Sequence, residues 1–470
     1  MTFRQKVLLC AGPVLLLLTL LLPAPSSEMS QAAWSTCGLM AWMVLWWISE
    51  VVPIPVTSLL PMIFIPLLSI DSMSAATSPY ANPIIYLFFG GFFLSIAMEK
   101  TGLHRRIALS ALSLVGAQPS RQIAALMAVT AFLSMWMSNT ATAVMMLPIG
   151  LSIIAMAGVS DQSKFAKAIL LGIAYSASIG GVATLIGTPP NALLAAYLQK
   201  TYQMQISFAD WMLIGVPIAS LMLVICWLWL TQFHFKLPAS TNSSATQFKQ
   251  QLAGEGPLPS EQKWVLLVFV LAAFCWVFQQ WLASTTGLAI SDTLIALGAA
   301  TLLFLLPGKA GKTLLEWQDA QQVPWGVLLL FGAGLSMADQ IQKTGVAQLL
   351  AQQLQMLQGV EPVLLLLAVT SLIIFLTEVT SNTATAAAFL PLLGPVAVSM
   401  ELSPLYLALP AALAASFAFM LPVATPPNAI VFASGKLEIK DMARAGLVLN
   451  ILGILVIALF SHYLAPHLFV

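Results

Sequence analysis

The sequence predicts an all-α, polytopic membrane protein on three observations. Its composition is too apolar for a water-facing surface, its apolar runs have membrane-spanning length, and it carries a long internal repeat whose copies coincide at polar breaks. Of 470 residues, 59% are hydrophobic and 7% charged, against about 25% charged in a soluble domain. Mean hydropathy is +0.93. A net charge of +1 suggests no nucleic-acid partner. Cys10, Cys37, Cys226 and Cys275 fall in or beside apolar runs and read as small buried hydrophobes, not a disulfide framework or a metal site.

A helical span needs about 20 apolar residues. Such runs place spans near 7–23, 34–49, 53–69, 83–98, 166–198, 211–231, 262–282, 289–307, 323–341, 404–433 and 441–467. The first run follows Arg4 and Lys6 and could pass for a secretory signal, but its length favours a retained span. Two further stretches, 122–157 and 362–400, are interrupted by polar clusters at mid-length and read as re-entrant hairpins, whose backbone must be buried in protein or line a wet cavity. The expected architecture is eleven spans plus two hairpins. With the N-terminus inside, 16 of the 18 basic residues fall on the inner side, leaving Lys200 and Lys343 outside, as the positive-inside rule requires. This places the chain in a bacterial-type inner membrane, with a cytoplasmic N-terminus and an outer C-terminus. The polar stretch 233–263 becomes a cytoplasmic linker, where the Asn242-Ser243-Ser244 sequon has no meaning.

The halves repeat. Phe88, Gly91, Lys100-Thr-Gly102, Ser138-Asn-Thr-Ala-Thr142 and Leu147-Pro148 recur 243 residues on, at Phe331, Gly334, Lys343-Thr-Gly345, Ser381-Asn-Thr-Ala-Thr385 and Leu390-Pro391. Gly187-Thr-Pro-Pro-Asn191 pairs with Ala424-Thr-Pro-Pro-Asn428 at an offset of 237. Five spans and one hairpin per copy invert the second copy relative to the first. Inverted repeats with broken helices mark secondary transporters. The expected division is 1–33 for the first span and outer loop, 34–232 for the first repeat, 233–263 for the linker and 264–470 for the second repeat.

The breaks carry the chemistry. At Ser138-Asn139-Thr140 an interrupted helix leaves backbone groups without partners, and the helix expected to start after Thr140 points an anion-favouring N-terminus at the gap. The hydroxyls of Ser138 and Thr140 and the Asn139 amide add donors, while amide and carbonyl oxygens suit a hard cation such as Na⁺. Ser381, Asn382 and Thr383 repeat the pattern. At Gly187-Thr188-Pro189-Pro190 and Ala424-Thr425-Pro426-Pro427, consecutive prolines break the helix and free carbonyls. No lysine, arginine or histidine lies near these motifs in sequence.

The paired Ser-Asn-Thr motifs, the Thr-Pro-Pro-Asn breaks and the segment from Trp46-Trp47-Ile-Ser-Glu50 to Pro55-Val-Thr57 resemble the divalent anion/sodium symporter family, the INDY-type carboxylate transporters, over residues 34–467. The resemblance implies a homodimer of scaffold and transport domains with elevator-like movement. It also implies a first Na⁺ site of Ser134, Ser138, Asn139 and the Gly187 carbonyl, and a second of Thr377, Ser381, Asn382 and the Ala424 carbonyl. Substrate contacts fall to Asn139, Thr140, Asn382 and Thr383 beside Ser138 and Ser381, with Thr188, Thr425 and Pro426 at the margin. Ser134 and Thr377 each lie one helical turn before the motif serine, on its face. The implied activity is Na⁺-coupled transport of di- or tricarboxylates of the succinate, malate, fumarate, citrate or tartrate class, with no other cofactor. The alternatives are a Na⁺-independent carboxylate exchanger or a carrier of sulfate. An enzyme is disfavoured because His104, His234, His462 and His467 all lie at ends or loops. A non-transporting sensor would need a sizeable soluble domain.

Glu378 is an acid deep in an apolar hairpin, where a carboxylate binds a cation, moves a proton or braces the backbone; the brace of its own hairpin tip is the expectation. Lys100, His104, Arg105 and Arg106 read as an inner-leaflet anchor, with an anion funnel as the alternative. Residues 103–116 and 346–358 are amphipathic and expected to lie along the interface. Trp42, Trp46 and Trp47 are expected to pack at an interface or dimer seam.

Overall fold

The structure, a computed structural model, describes residues 2–114, 118–157, 160, 163–237, 252–353 and 360–464. The expectations for the middle of the linker and its sequon, for 115–116 and 354–358 of the amphipathic segments, and for 465–467 of the last span lie outside the described residues. Among the described residues every regular element is helical.

The first half runs through α1 (Phe3–Leu21), α2 (Gln31–Ser49), α3 (Ile54–Thr57), α4 (Leu60–Leu67), α5 (Met73–Thr77), α6 (Pro83–Thr101), α7 (Leu103–Leu112), α8 (Pro119–Ser134), α9 (Asn139–Met156), α10 (Lys164–Gly181), α11 (Pro189–Tyr202) and α12 (Phe208–Leu228). The second runs through α13 (Ser260–Val277), α14 (Gln279–Thr286), α15 (Asp292–Leu305), α16 (Trp325–Lys343), α17 (Val346–Gln353), α18 (Pro362–Thr377), α19 (Asn382–Ser399), α20 (Leu405–Ala415), α21 (Pro426–Phe432) and α22 (Ile439–Tyr463). Among the described residues eight helices are long and apolar enough to cross a bilayer by length and composition, and four more apolar helices are shorter. The expected spans 53–69, 289–307 and 404–433 fall among the shorter ones. Pro53, Pro55, Pro61 and Pro66 divide the first into α3 and α4, since proline removes a backbone donor and clashes with the preceding turn.

The repeat is visible in the elements. α8 and α18 have 16 residues each, α9 and α19 have 18 each, and four residues separate each pair. The broken helices α10–α11 and α20–α21 follow. Pro189-Pro190 and Pro426-Pro427 occupy the first two positions of α11 and α21, where no intrahelical donor is needed. The prolines therefore begin the second half-helix. Phe88 and Phe331, equivalent positions of the two copies, touch with ring centroids 5.3 Å apart.

α10 packs on α8, α9 and α21, while α11 packs on α19 and α20, so each broken helix touches elements of both copies. A second set joins α6 to α13 and α15, and α16 to α2, and it packs on the first where α6 and α16 meet α11 and where α2 and α16 meet α19. Between the sets, Trp136 stacks with Phe208 and Trp276. The tryptophans of α2 face inward: Trp47 is fully buried, Trp42 and Trp46 lie 5.0 Å apart, and Trp46 Nε1 donates to the Leu8 carbonyl of α1 (3.3 Å). They thus seal α1 against α2 within the chain. Of the four cysteines, only Cys226 is fully buried, and Cys10 is exposed. Lys200 and Lys343 converge on Asp339 at 3.7 and 3.0 Å, and Lys343 lies 2.9 Å from Asp71.

Candidate functional site

The two interrupted helix pairs and the two broken helices meet around one cavity of about 910 Å³. Its walls include Ser138, Asn139, Thr140, Gly187 and Thr188 from the first copy and Ser381, Asn382, Thr383, Ala424, Thr425 and Pro426 from the second. Residues 243 positions apart are thereby brought face to face. Ser134 and Thr377 do not line the cavity; both are fully buried behind it.

Each tip is a helix start. Ser138 caps α9, its hydroxyl oxygen accepting from Ala141 N–H (3.2 Å), so the helix begins at Asn139 rather than after Thr140. The N–H groups of Asn139 and Thr140 are then first-turn donors without intrahelical partners. Ser381 caps α19 by backbone alone, with no side-chain cap bond. The opposed helix ends give each side of the cavity a positive dipole end, roughly +0.5 elementary charge.

Behind each tip lies an oxygen cluster. Ser134 Oγ is 2.7 Å from Asn139 Oδ1 and 2.7 Å from the Ala177 carbonyl. Thr377 Oγ1 is 2.8 Å from Asn382 Oδ1 and 3.0 Å from the Ala415 carbonyl. A hydroxyl has one proton, so each cluster holds three oxygens and one donor, one fewer than its two contacts require. An oxygen-rich, donor-poor recess built twice has the chemistry that could hold a hard cation. The Ala177 and Ala415 carbonyls that these hydroxyls meet were not among the expected site residues, because every residue has a carbonyl and only the crossing of α8 with α10, and of α18 with α20, selects these.

The asparagines of the Thr-Pro-Pro-Asn motifs do not enter the cavity. Asn191 Nδ2 donates to the carbonyls of Gly181 (3.2 Å), Val182 (3.3 Å) and Thr184 (2.8 Å). Asn428 Nδ2 donates to those of Ala418 (3.1 Å) and Leu421 (3.0 Å). Both side chains are fully buried and hold the unwound segments in shape. Thr425 Oγ1 accepts from Asn428 N–H (3.3 Å), while Thr188 Oγ1 lies 3.5 Å from Ser416 Oγ, a contact between the copies.

Glu378 braces a neighbour instead of its own tip. Its carboxylate accepts from the N–H groups of Phe419 (2.8 Å), Met420 (2.9 and 3.1 Å) and Leu421 (3.0 Å), and from Asn450 Nδ2 (2.7 Å). It thus satisfies the backbone exposed where α20 ends. Its counterpart in the first copy is Met135, whose carbonyl accepts from Thr184 Oγ1, and Thr184 Oγ1 in turn accepts from Gly187 N–H (3.1 Å). The same join is made by a carboxylate in one copy and a hydroxyl in the other.

The basic cluster is engaged locally. Lys100 pairs with Asp319 (2.7 Å) and Arg105 with Glu255 (3.2 Å). Arg106 donates to Gln262 Oε1 (2.8 Å) and to the Gly256 and Glu255 carbonyls (2.9 and 3.0 Å). None of these cations lines the cavity; among the described residues the charged side chains that do are Glu50, of the Trp46–Thr57 segment, and Glu99, beside the repeated Lys100-Thr-Gly102, and neither was among the expected site residues.

Residues 4–470 match the family model described as the sodium:sulfate symporter transmembrane region. The chain is 42% identical over 476 residues to a sodium-dependent dicarboxylate transporter, SdcS, of Staphylococcus saprophyticus, covering 98% of this chain and 92% of that protein. It is 41% identical over 480 residues to SdcS of Staphylococcus aureus USA300, covering 98% and 91%. Its fold is similar to the YdaH transporter of Alcanivorax borkumensis (TM-score 0.63, 13% identity, 91% of this chain and 98% of that one). It is also similar to MtrF of Neisseria gonorrhoeae (TM-score 0.60, 13% identity, 99% and 96%). A whole-length family match and two near-complete relatives show that the chain belongs to the sodium:sulfate symporter family of membrane transporters and is not an enzyme.

Proposed function

We propose that the protein is a secondary active transporter that carries a small dicarboxylate, in the succinate, malate or fumarate class, across a bacterial-type inner membrane together with Na⁺. The observation that carries this reading is the pair of donor-poor oxygen clusters, one behind each Ser-Asn-Thr tip, set around a cavity whose lining, among the described residues, has no basic side chain. The relatives' names supply the substrate class and the ion.

The chemistry follows from charge. A dicarboxylate brings two negative charges, and a bare charge at the bilayer centre costs several kcal/mol. One Na⁺ at Ser134, Asn139 and the Ala177 and Gly187 carbonyls, and another at Thr377, Asn382 and the Ala415 and Ala424 carbonyls, neutralise it. Ser138 and Ser381 stand at the junction of ion and anion. The N–H groups and side chains of Asn139, Thr140, Asn382 and Thr383 then grip the two carboxylates, with Thr188, Thr425 and Pro426 at the rim. Because Asn139 and Asn382 belong to both sets, ion binding orders the residues the anion needs, and the loaded cavity crosses as a near-neutral unit.

In this reading the chain has eleven spans and two re-entrant hairpins, 122–157 and 362–400, in an inverted repeat. The hairpins with α10–α12 and α20–α22 form the transport domain, and α1–α6 with α13–α16 form the scaffold. Two copies associate through their scaffolds, and each transport domain moves as an elevator. The meeting of Lys200 and Lys343 on Asp339 supports placing both on the outer side. Sulfate is the second reading, favoured by the family's description. Uptake of labelled succinate and of labelled sulfate into proteoliposomes, with and without an inward Na⁺ gradient, separates them. Na⁺-driven succinate uptake lost in N139A and N382A is expected. Sulfate uptake alone selects the second reading, and succinate counterflow indifferent to Na⁺ selects an exchanger and removes the coupling.

A further inference from the structure

The two oxygen clusters are built alike but not walled alike. In the first, α10 ends at Gly181, and a Cβ placed there would lie 2.4 Å from Asn139 Oδ1 and 3.1 Å from its Cγ and Nδ2. The next contact inward is also closed to a side chain: a Cβ at Gly187 would lie 2.4 Å from the Gly181 carbonyl oxygen. Asn191 fixes that carbonyl from the other side at 3.2 Å. The Asn139 amide therefore rests directly on the backbone of α10, and Ser134 reaches it at 2.7 Å because of that seat. In the second copy threonine replaces the serine and Ala424 stands where the first has Gly187.

We propose that Gly181 is a positioning residue that sets the dimensions of the first cation recess by admitting the Asn139 amide against the backbone of α10. The inference rests on the reading of these clusters as Na⁺ sites. Gly181 supplies no ligand oxygen; it decides where one stands. Ordinary contact begins at 3.4 Å against the 2.4 Å of the added carbon, so a methyl group displaces Oδ1 by about 1 Å. The oxygen ligands of a hard cation occupy a window of about 0.3 Å. A displacement three times that width removes Asn139 from the shell and breaks its contact with Ser134. The second recess, on α18, α19 and α20, is untouched.

The test is a double-mutant cycle between Gly181→Ala and Asn139→Ser on the full-length protein in detergent, read as Na⁺-dependent thermal stabilisation without substrate, with choline as the control cation. Serine keeps an oxygen but withdraws it from the seat. G181A alone raises the Na⁺ half-saturation of the first site at least tenfold and lowers the Hill coefficient from near two toward one. In the N139S background G181A changes nothing further, because the group it strikes is gone; such non-additivity is the mark of direct contact. An unchanged Na⁺ curve for G181A, or the same cost in both backgrounds, overturns the proposal. Should G181A alone fail to fold, G181A/N139S folding as N139S does supports it, and a misfolded double variant overturns it. If N139S and T377A both leave the Na⁺ response intact, the Na⁺-site reading itself fails, whatever G181A does.

Discussion

Replacing Glu378 by glutamine removes one charge and turns one end of the side chain from acceptor to donor. In the native arrangement Oε1 accepts from Phe419, Met420 and Asn450, and Oε2 from Met420 and Leu421. Glutamine can keep the first set only by setting its NH₂ group against the Leu421 N–H. The variant loses the two Oε2 bonds and leaves a buried donor unsatisfied. Bonds to a charged acceptor contribute about 1.5–3 kcal/mol each, and an orphaned buried donor costs about 1–3 kcal/mol. Relief from burying a carboxylate offsets part of this, so the net loss is about 2–4 kcal/mol. The strain falls on the segment between α20 and α21, which carries the Ala424 carbonyl. At about 1.4 kcal/mol per tenfold, Na⁺ affinity at the second recess drops by tens-fold to at most hundreds-fold. Thermal unfolding in choline and in Na⁺, with Na⁺ titrations of succinate uptake, measures both effects. The brace requires a lower midpoint already in choline, whereas a cation ligand would cost stability only in Na⁺. A Glu378→Gln protein with native midpoints in both salts and a native Na⁺ curve would refute the reasoning. Met135→Leu at the equivalent position is expected to cost under about 1.5 kcal/mol, since the hydrogen bond uses only its carbonyl and leucine keeps the apolar packing.

Further outcomes follow from the same geometry. Ser134→Ala and Thr377→Ala each delete one cluster hydroxyl, and each should lower the Hill coefficient of Na⁺-driven uptake while leaving the other site's Na⁺ affinity within a few-fold. Asn191→Ala frees three buried carbonyls and should cost about 2–3 kcal/mol, seen as a lower unfolding midpoint; Asn428→Ala, with two, should cost less. The ammonium of Lys343, with the Ser72 N–H, holds the Asp71 carboxyl below the usual carboxylate range. A depressed carboxylate stabilises above its unfolded pKa and loses that contribution as pH falls through the folded value. Lys343→Ala should therefore change the midpoint little between pH 5 and 8, by under about 1 kcal/mol because the pair is exposed, and nothing should remain of the difference in strong acid.

Much of this protein could be read from its residues alone. Composition and run length determined a helical membrane chain, because a bilayer accepts only backbone that satisfies itself. Ser138-Asn-Thr140 and Ser381-Asn-Thr383 marked the breaks, because such residues compete with the helical backbone and cap its ends. The common offset marked the duplication, and the family resemblance implied Ser134 and Thr377, with which their place one helical turn before each motif serine agrees. Tertiary structure decided what no spacing contains. It chose the Ala177 and Ala415 carbonyls as partners of those hydroxyls, because carbonyls are anonymous until two helices cross. It turned Glu378 away from its own tip toward the end of α20, where unpaired N–H groups outcompete any local donor for its carboxylate. It moved the helix start to Asn139, since Ser138 had an N–H three residues ahead to accept. It also placed Gly181 against an amide 42 positions earlier in the chain. Local sequence dictates where a helix must stop; only packing dictates what the freed groups then meet.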